Sequence, residues 1–226
     1  SEPVLSGDEA RHLSQVLRIR PGETINVFDG AGKRASAMVL SVSRDHVPLE
    51  IGETSSPDKS GPRIVLAQAI PKGKNMDLIV QKGVELGVSG IVPLVTKNTV
   101  VQPGEGKSDK WRRNALEACK QCGQDTLPEI TEPLSFNAWL EREAALPGLK
   151  LLASLHPGAV PFRQTLRENP QPERVVIAVG PEGDLTREEA DAAVAKGFIP
   201  VTLGDIILRV ETASLFCVSA VRYEYS

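Results

Sequence analysis

The rhythm of apolar positions changes once along the chain. Up to residue 56 they alternate over short stretches: Thr24 to Phe28, a turn at Asp29-Gly30-Ala31-Gly32, then Ala35 to Val42. Alternation with period two marks strands with one buried face, and Asp-Gly between two such runs marks a hairpin. Ahead of them, Asp8 to Arg18 sets Leu13, Val16 and Leu17 at helical spacing, closed by Pro21-Gly22. The polar stretch Glu53 to Pro62 reads as a linker. It divides a domain at 1–61 from a second at 62–226.

Beyond the linker, apolar runs at 63–70, 91–95, 149–155 and 174–179 alternate with helical spacing at 76–86, 110–122 and 186–196. Thr186 and Glu189 form a capping box for the last of these helices, with Gly197 as its stop. Val201-Thr202-Leu203 then leads to a final helix from about Glu211 to Tyr223. Strand and helix in alternation predict an α/β domain, a parallel sheet with helices on both faces. The chain contains no internal repeat and no low-complexity tract.

Composition narrows the class without naming a function. The 226 residues are 41% hydrophobic and 24% charged, as expected for a globular chain of one large or two small domains. No window approaches the roughly 20 apolar residues of a membrane span, and the first residues do not read as a secretory signal. Three cysteines are too few, and odd in number, for a disulfide framework. A soluble, cytoplasmic protein is expected, and a first residue of Ser rather than Met suggests a trimmed chain. Net charge is −3, yet residues 63–120 hold ten Lys and Arg against five acids, a local +5. That excess fits solvated helix faces or the footprint of a polyanion.

Several motifs fail on their own terms. Gly106-Lys107-Ser108 resembles the end of a P-loop, but Val101 stands where its first glycine is needed. Gly-x-Gly-x-x-Gly and Gly-x-Ser-x-Gly are both absent, which removes the dinucleotide fingerprint and the hydrolase elbow. Cys119 and Cys122 have metal spacing, but there is no second pair, and His12, His46 and His156 are scattered. No metal is expected.

Three segments remain, each just after an apolar strand run, where open parallel sheets bind ligands. They are Ser154-Leu155-His156-Pro157-Gly158, Val179-Gly180-Pro181-Glu182-Gly183, and the stretch from Leu203 to Ala213. Each alone is an ordinary turn; their order is specific. Gly180-Pro181-Glu182-Gly183, Leu203-Gly204 and Ile207-Leu208-Arg209-Val210-Glu211-Thr212-Ala213 resemble the RsmE family, 16S ribosomal RNA uridine-N3 methyltransferases of the SPOUT class. Pro71-Lys72-Gly73-Lys74-Asn75-Met76-Asp77, Gln81 to Val88, Lys110 to Arg113, Glu117 to Gly123, and His12-Leu13, Val16-Leu17-Arg18 and Pro21-Gly22-Glu23 match the same family.

The resemblance implies a small N-terminal PUA-like β-barrel for RNA and a C-terminal SPOUT domain with a deep trefoil knot. It implies a homodimer, S-adenosylmethionine as methyl donor, S-adenosylhomocysteine as product, and 16S rRNA or the small ribosomal subunit as partner. The donor is expected among Leu155, His156, Gly180, Pro181, Glu182, Gly183, Leu203, Gly204, Ile207, Leu208, Thr212 and Ala213. Adenine would lie against Leu203, Ile207 and Leu208, with Gly180 and Gly183 leaving room for ribose and methionine. Arg209 is expected to stabilise charge on the uridine. Glu211 either orients Arg209 or takes the N3 proton; a purely structural Arg209–Glu211 pair is the alternative. Arg18, Arg20, Lys72, Lys74, Arg112 and Arg113 are the expected phosphate contacts. Asp184-Leu185 replaces a glycine and an aromatic that often follow the Gly-Pro-Glu-Gly run in the family. Members also begin with a basic, aromatic strand, so the barrel is expected to lack its first strand. Methylation of another RNA position and a non-catalytic RNA-binding protein of the same fold are the alternatives.

Overall fold

The computed structural model describes residues 3–56, 61–104, 106–156 and 158–226. The chain divides into two compact units, Ser1–Asp58 and Lys59–Ser226. Positions 57–60 of the expected linker, and Pro157 of the first expected ligand loop, lie outside the described residues.

The N-terminal unit contains β1 (Val4–Ser6), α1 (Gly7–Arg11), β2 (Thr24–Phe28), β3 (Arg34–Val39) and β4 (His46–Ser55). They form one antiparallel sheet in the order β1-β4-β3-β2. β3 shows why alternation works as a signal: Ala35, Ala37 and Val39 are buried while the residues between them are exposed. The expected hairpin joins β2 to β3, and the Asp29 carboxylate ties its turn by accepting from the backbone N–H of Ala31 (2.7 Å) and Lys33 (3.0 Å). The core is Ala10, Leu13, Ala37, Val39, Val47 and Leu49.

The helix expected over Asp8–Arg18 is corrected in its second half. After α1 the chain widens into a π-helical turn at His12–Leu17, ending on Arg18 in the left-handed region (φ 52°). The changed pitch takes Val16 and Leu17 off the face that Leu13 buries, and both are exposed.

The C-terminal unit is built on strands β5 (Arg63–Ala69), β6 (Gly90–Val95), β7 (Glu129–Ile130), β8 (Leu134–Ser135), β9 (Leu149–Ala153), β10 (Val160–Pro161), β11 (Arg174–Val179) and β12 (Ile199–Thr202). All pair in parallel, in the order β10-β12-β9-β11-β5-β6-β7, with β8 also on β6. The helices are α2 (Asn75–Glu85), α3 (Lys107–Cys122), α4 (Phe136–Ala144), α5 (Phe162–Glu168), α6 (Arg187–Ala195) and α7 (Val210–Glu224). On one face α4 and α6 pack through Trp139, Leu140, Ala190 and Ala193 onto Ala67, Leu152, Val176 and Ala178. Trp139 lies between Phe136 and Phe198, with ring centroids 5.6 and 5.4 Å away. α2 and α7 pack together on the other face, where α7 reaches β5 and β11. Helices on both faces of a parallel sheet is the architecture expected. The capping box of α6 forms as expected, with the Thr186 side chain accepting from Glu189 N–H and Glu189 reaching back to the N-cap.

Register places the site. Val201 pairs with Ala153, Ala153 with Val179, and Val179 with Gln68, so four neighbouring strands end at one level. The segments leaving β9, β11 and β12 therefore converge at one edge of the sheet.

Candidate functional site

A cavity of about 410 Å³ opens at that edge. This is within the range of small-molecule pockets, roughly 300–1,000 Å³. Its walls come from the three strand-end segments, and they include Leu155, Gly180, Pro181, Glu182, Leu203, Gly204, Ile207, Leu208 and Ala213 of the expected donor residues. Arg209 and Glu211 line the same cavity. His156, Gly183 and Thr212 do not line it. The His156 backbone N–H donates to Ser154 Oγ (3.1 Å), and its ring Nε2 lies 3.3 Å from the Leu185 carbonyl oxygen.

Both glycines of the β11 turn face the protein's own atoms. The turn closes through Asp184 N–H donating to the Pro181 carbonyl (2.9 Å), with Asp184 itself at φ 56°. A Cβ on Gly180 would stand 2.9 Å from Asp184 Oδ1 and 3.0 Å from the Leu185 nitrogen. At Gly183 it would meet Asn98 Cβ at 3.3 Å. The space beside both glycines is taken by the protein itself, so they shape the wall by letting the chain fold back on itself. Asn98 clamps the same turn, its Nδ2 donating to the carbonyls of Gly183 and Asp184 (both 3.0 Å). Glu182 ties the turn to the loop after β5 by accepting from Lys72 N–H (2.9 Å).

Beneath the cavity, the start of α7 is pinned to the central strand. Gln68, fully buried at the end of β5, hydrogen-bonds the Ser214 hydroxyl through Oε1 and donates from Nε2 to the Ala69 carbonyl (2.8 Å). Ser214 also hydrogen-bonds the Val210 carbonyl oxygen (2.9 Å). A buried amide must find such partners, and here they fix where the first turn of α7 lies. That turn carries Glu211, and with Arg209, Val210 and Glu211 lining the cavity the N-terminal end of α7, the positive end of its dipole, lies at it.

Arg209 is the N-cap residue of α7 and is exposed. The alternative of a structural Arg209–Glu211 pair is not formed among the described residues. Instead Glu211 Oε2 accepts from Asn75 Nδ2 at 3.3 Å. Asn75, Asp184 and Ile206 also line the cavity although the sequence motifs did not assign them there. Asn75 lies inside the Pro71–Asp77 motif, which was the available signal; its partner is 136 positions away.

The six expected phosphate contacts separate into two kinds. Arg18, Arg20, Lys72, Lys74 and Arg113 have exposed side chains. Arg112 is already committed: it donates to Asp109 Oδ1 (2.9 Å), Glu132 Oε1 (2.7 Å) and the Ile130 carbonyl (3.0 Å), clasping α3 to the segment after β7. The Ser108 hydroxyl and Arg112 together hold the Glu132 carboxyl below its ordinary pKa. Cys119 is buried and its thiol is pushed up to about 11, chiefly by desolvation, while Cys122 is exposed. Among the described residues no group of three or more His, Cys, Asp or Glu is placed to hold a metal ion, and no helix is long and apolar enough to cross a membrane.

The family of RNA methyltransferase domains matches residues 58–222, and the RNA methyltransferase PUA domain matches residues 5–52. Ribosomal RNA small subunit methyltransferase E of Synechocystis sp. is 34% identical over 93% of this chain and 69% of its own length. Its Bacillus subtilis counterpart is 29% identical over 97% of this chain and 89% of its own length. The crystal structure of the Neisseria gonorrhoeae enzyme of that name, bound to S-adenosyl methionine, superposes with a TM-score of 0.89 at 33% identity, covering 99% of this chain and 92% of the other. A methyltransferase from Legionella pneumophila in complex with the same cofactor superposes at 0.85 with 32% identity, covering 98% and 92%. With both domain matches in order along it and the cavity at the ends of its parallel strands, the chain belongs to the RNA methyltransferase family that includes ribosomal RNA small subunit methyltransferase E.

Proposed function

We propose that the protein methylates N3 of a uridine in 16S ribosomal RNA, using S-adenosylmethionine. The observation that carries this reading is one cavity with two unlike walls. Leu155, Leu203, Ile206, Ile207 and Leu208 come from the segments after the neighbouring strands β9 and β12. Leu155, Ile206 and Ile207 are 61%, 74% and 79% exposed. Exposed apolar side chains gathered at a concave site suit a flat apolar group such as adenine. Asn75, Arg209 and Glu211 form a polar wall on α2 and the start of α7, toward β5 and β11.

The donor, when bound, supplies a methyl group on a positively charged sulfur and needs no metal to activate it. The protein's own part is to hold the reactants and manage one proton. Aligning two bound reactants can supply roughly 7–11 kcal/mol of a barrier. N3 of uridine carries its proton at neutral pH, so it must lose that proton to become nucleophilic. Glu211 accepts it, and Arg209 with the N-terminus of α7 stabilises the negative charge that develops on the base. A uridine in a duplex hides N3, so the substrate form is a looped or flipped-out base.

The exposed Arg18, Arg20, Lys72, Lys74 and Arg113 belong to this reading as phosphate contacts, and Arg112 as a support of α3. The homodimer and the knot rest on the resemblance. Phe216 and Tyr223, exposed on α7, support the first, and the return of the chain from β12, between β10 and β9, to α7 over β5 and β11 supports the second. Action on ribosomal RNA supports a cytoplasmic location. The test is transfer of labelled methyl to small ribosomal subunits lacking their usual methylations, followed by nucleoside analysis. Label in 3-methyluridine is expected; label in a 2′-O-methylated nucleoside, or no transfer by folded protein, overturns the reading.

A further inference from the structure

We propose that Asn75 determines specificity for uracil, with one amide N–H holding Glu211 and the other presented to a carbonyl oxygen of the base. This rests on the uridine-N3 reading and assigns the recognition that reading requires. Asn75 is the first residue of α2, half-buried, and lines the cavity beside Glu211 and Arg209. Its amide must turn Nδ2 toward Glu211, because a carboxylate only accepts. Nδ2 carries two N–H groups, and among the described residues the Glu211 contact is the only hydrogen bond that the Asn75 side chain makes.

The chemistry of the base edge matches this set. The Watson–Crick edge of uracil offers an acceptor (O4), a donor (N3–H) and a second acceptor (O2). The polar wall offers a complementary set: a donor at Asn75, an acceptor at Glu211 and a donor at Arg209. Glu211 receives the N3–H and then yields the N3 lone pair to the incoming methyl, while Asn75 and Arg209 each take one carbonyl oxygen. Cytosine presents an amino group in place of O4 and a lone pair at N3. Against the same wall it would set a lone pair against the Glu211 carboxylate and leave a donor facing a donor. A site whose polar groups are left unpaired by the wrong ligand rejects it far more strongly than an apolar pocket can. Asn75 thus has two linked tasks, fixing the Glu211 carboxylate and reading the base.

The test couples the side chain to the base. RNA carrying uridine, 4-thiouridine or 2-thiouridine at the target position is assembled into small subunits, and single-turnover methylation is measured for wild type, Asn75→Ala and the isosteric Asn75→Asp. Sulfur is a poorer acceptor than oxygen. Wild type is expected to slow about fivefold to tenfold with one of the two thio-bases, the effect of one weakened hydrogen bond. Both variants are expected to methylate uridine more slowly and to lose that discrimination, giving a non-zero interaction term in the double-mutant cycle. Affinity for S-adenosylmethionine, measured by calorimetry, stays within about twofold of wild type and shows that each variant is folded. If both thio-bases slow the variants as much as wild type, or neither slows wild type, Asn75 does not touch the base. A wild-type product other than 3-methyluridine overturns the functional reading itself, and this assignment with it.

Discussion

The two units solve burial in opposite ways, and the difference decides where chemistry can sit. In the N-terminal sheet β3 buries every second residue, so one face carries the core and the other meets solvent. In the C-terminal unit β11 is buried from Val175 to Val179, because helices cover both faces of its sheet. A sheet buried on both sides leaves its strand ends as the open ground, and there the three segments meet. The same contrast holds for charge. Arg11 pairs with Asp45 at 2.8 Å where both side chains are about half exposed. Arg174 grips Glu143 through two contacts, 2.5 and 2.9 Å, with the Glu143 side chain only 5% exposed. One pair decorates a surface; the other joins α4 to the first residue of β11, under the strand that carries the cavity.

Breaking the buried pair has the largest expected effect. Arg174→Ala strands Glu143 inside the protein and should cost about 3–5 kcal/mol in urea unfolding. Arg11→Ala should leave the midpoint unchanged within error, since surface pairs are screened and pay side-chain entropy. Equal effects would erase the contrast. Next comes chemistry without stability: Arg209→Ala should lower methyl transfer by roughly 10²–10³, the scale of one lost charge-stabilising group, with donor affinity and melting unchanged.

A smaller effect separates the basic residues. Lys72→Ala should reduce the salt slope of RNA binding by about 1, while Arg112→Ala, already paired within the protein, leaves the slope unchanged. The smallest is a pH effect on the Arg112 clasp. Ser108 and Arg112 depress the pKa of Glu132, so its contribution to stability is present above the ordinary carboxylate range and is lost as pH falls through the depressed value. Glu132→Gln should therefore be less stable than wild type at neutral pH and match it in acid, as read by urea titrations at each pH.

What sequence revealed follows from the range of the interaction concerned. The α6 capping box lies within four residues, and the runs of β5, β9 and β11 are continuous, so all were legible. The π-helical turn was not, because Leu13, Val16 and Leu17 fit a regular helix by spacing alone. The short β7, β8 and β10 carry too few residues for periodicity to register. α4 and α5 escaped as well, at nine and seven residues. Strand order is non-local: nothing in Ile199–Thr202 states that β12 passes β11 to pair with β9. The site was legible as three segments through their order. The packing of Gly183 against Asn98, and the bond from Asn75 to Glu211, depended on residues far away in sequence.

The most direct test of the two-walled cavity is a crystal structure of the protein with S-adenosylmethionine. The account expects adenine against Leu203, Ile207 and Leu208, and the methyl-bearing sulfur directed toward Arg209, Glu211 and Asn75. A donor bound elsewhere, or bound with its methyl turned away from that polar wall, would contradict it.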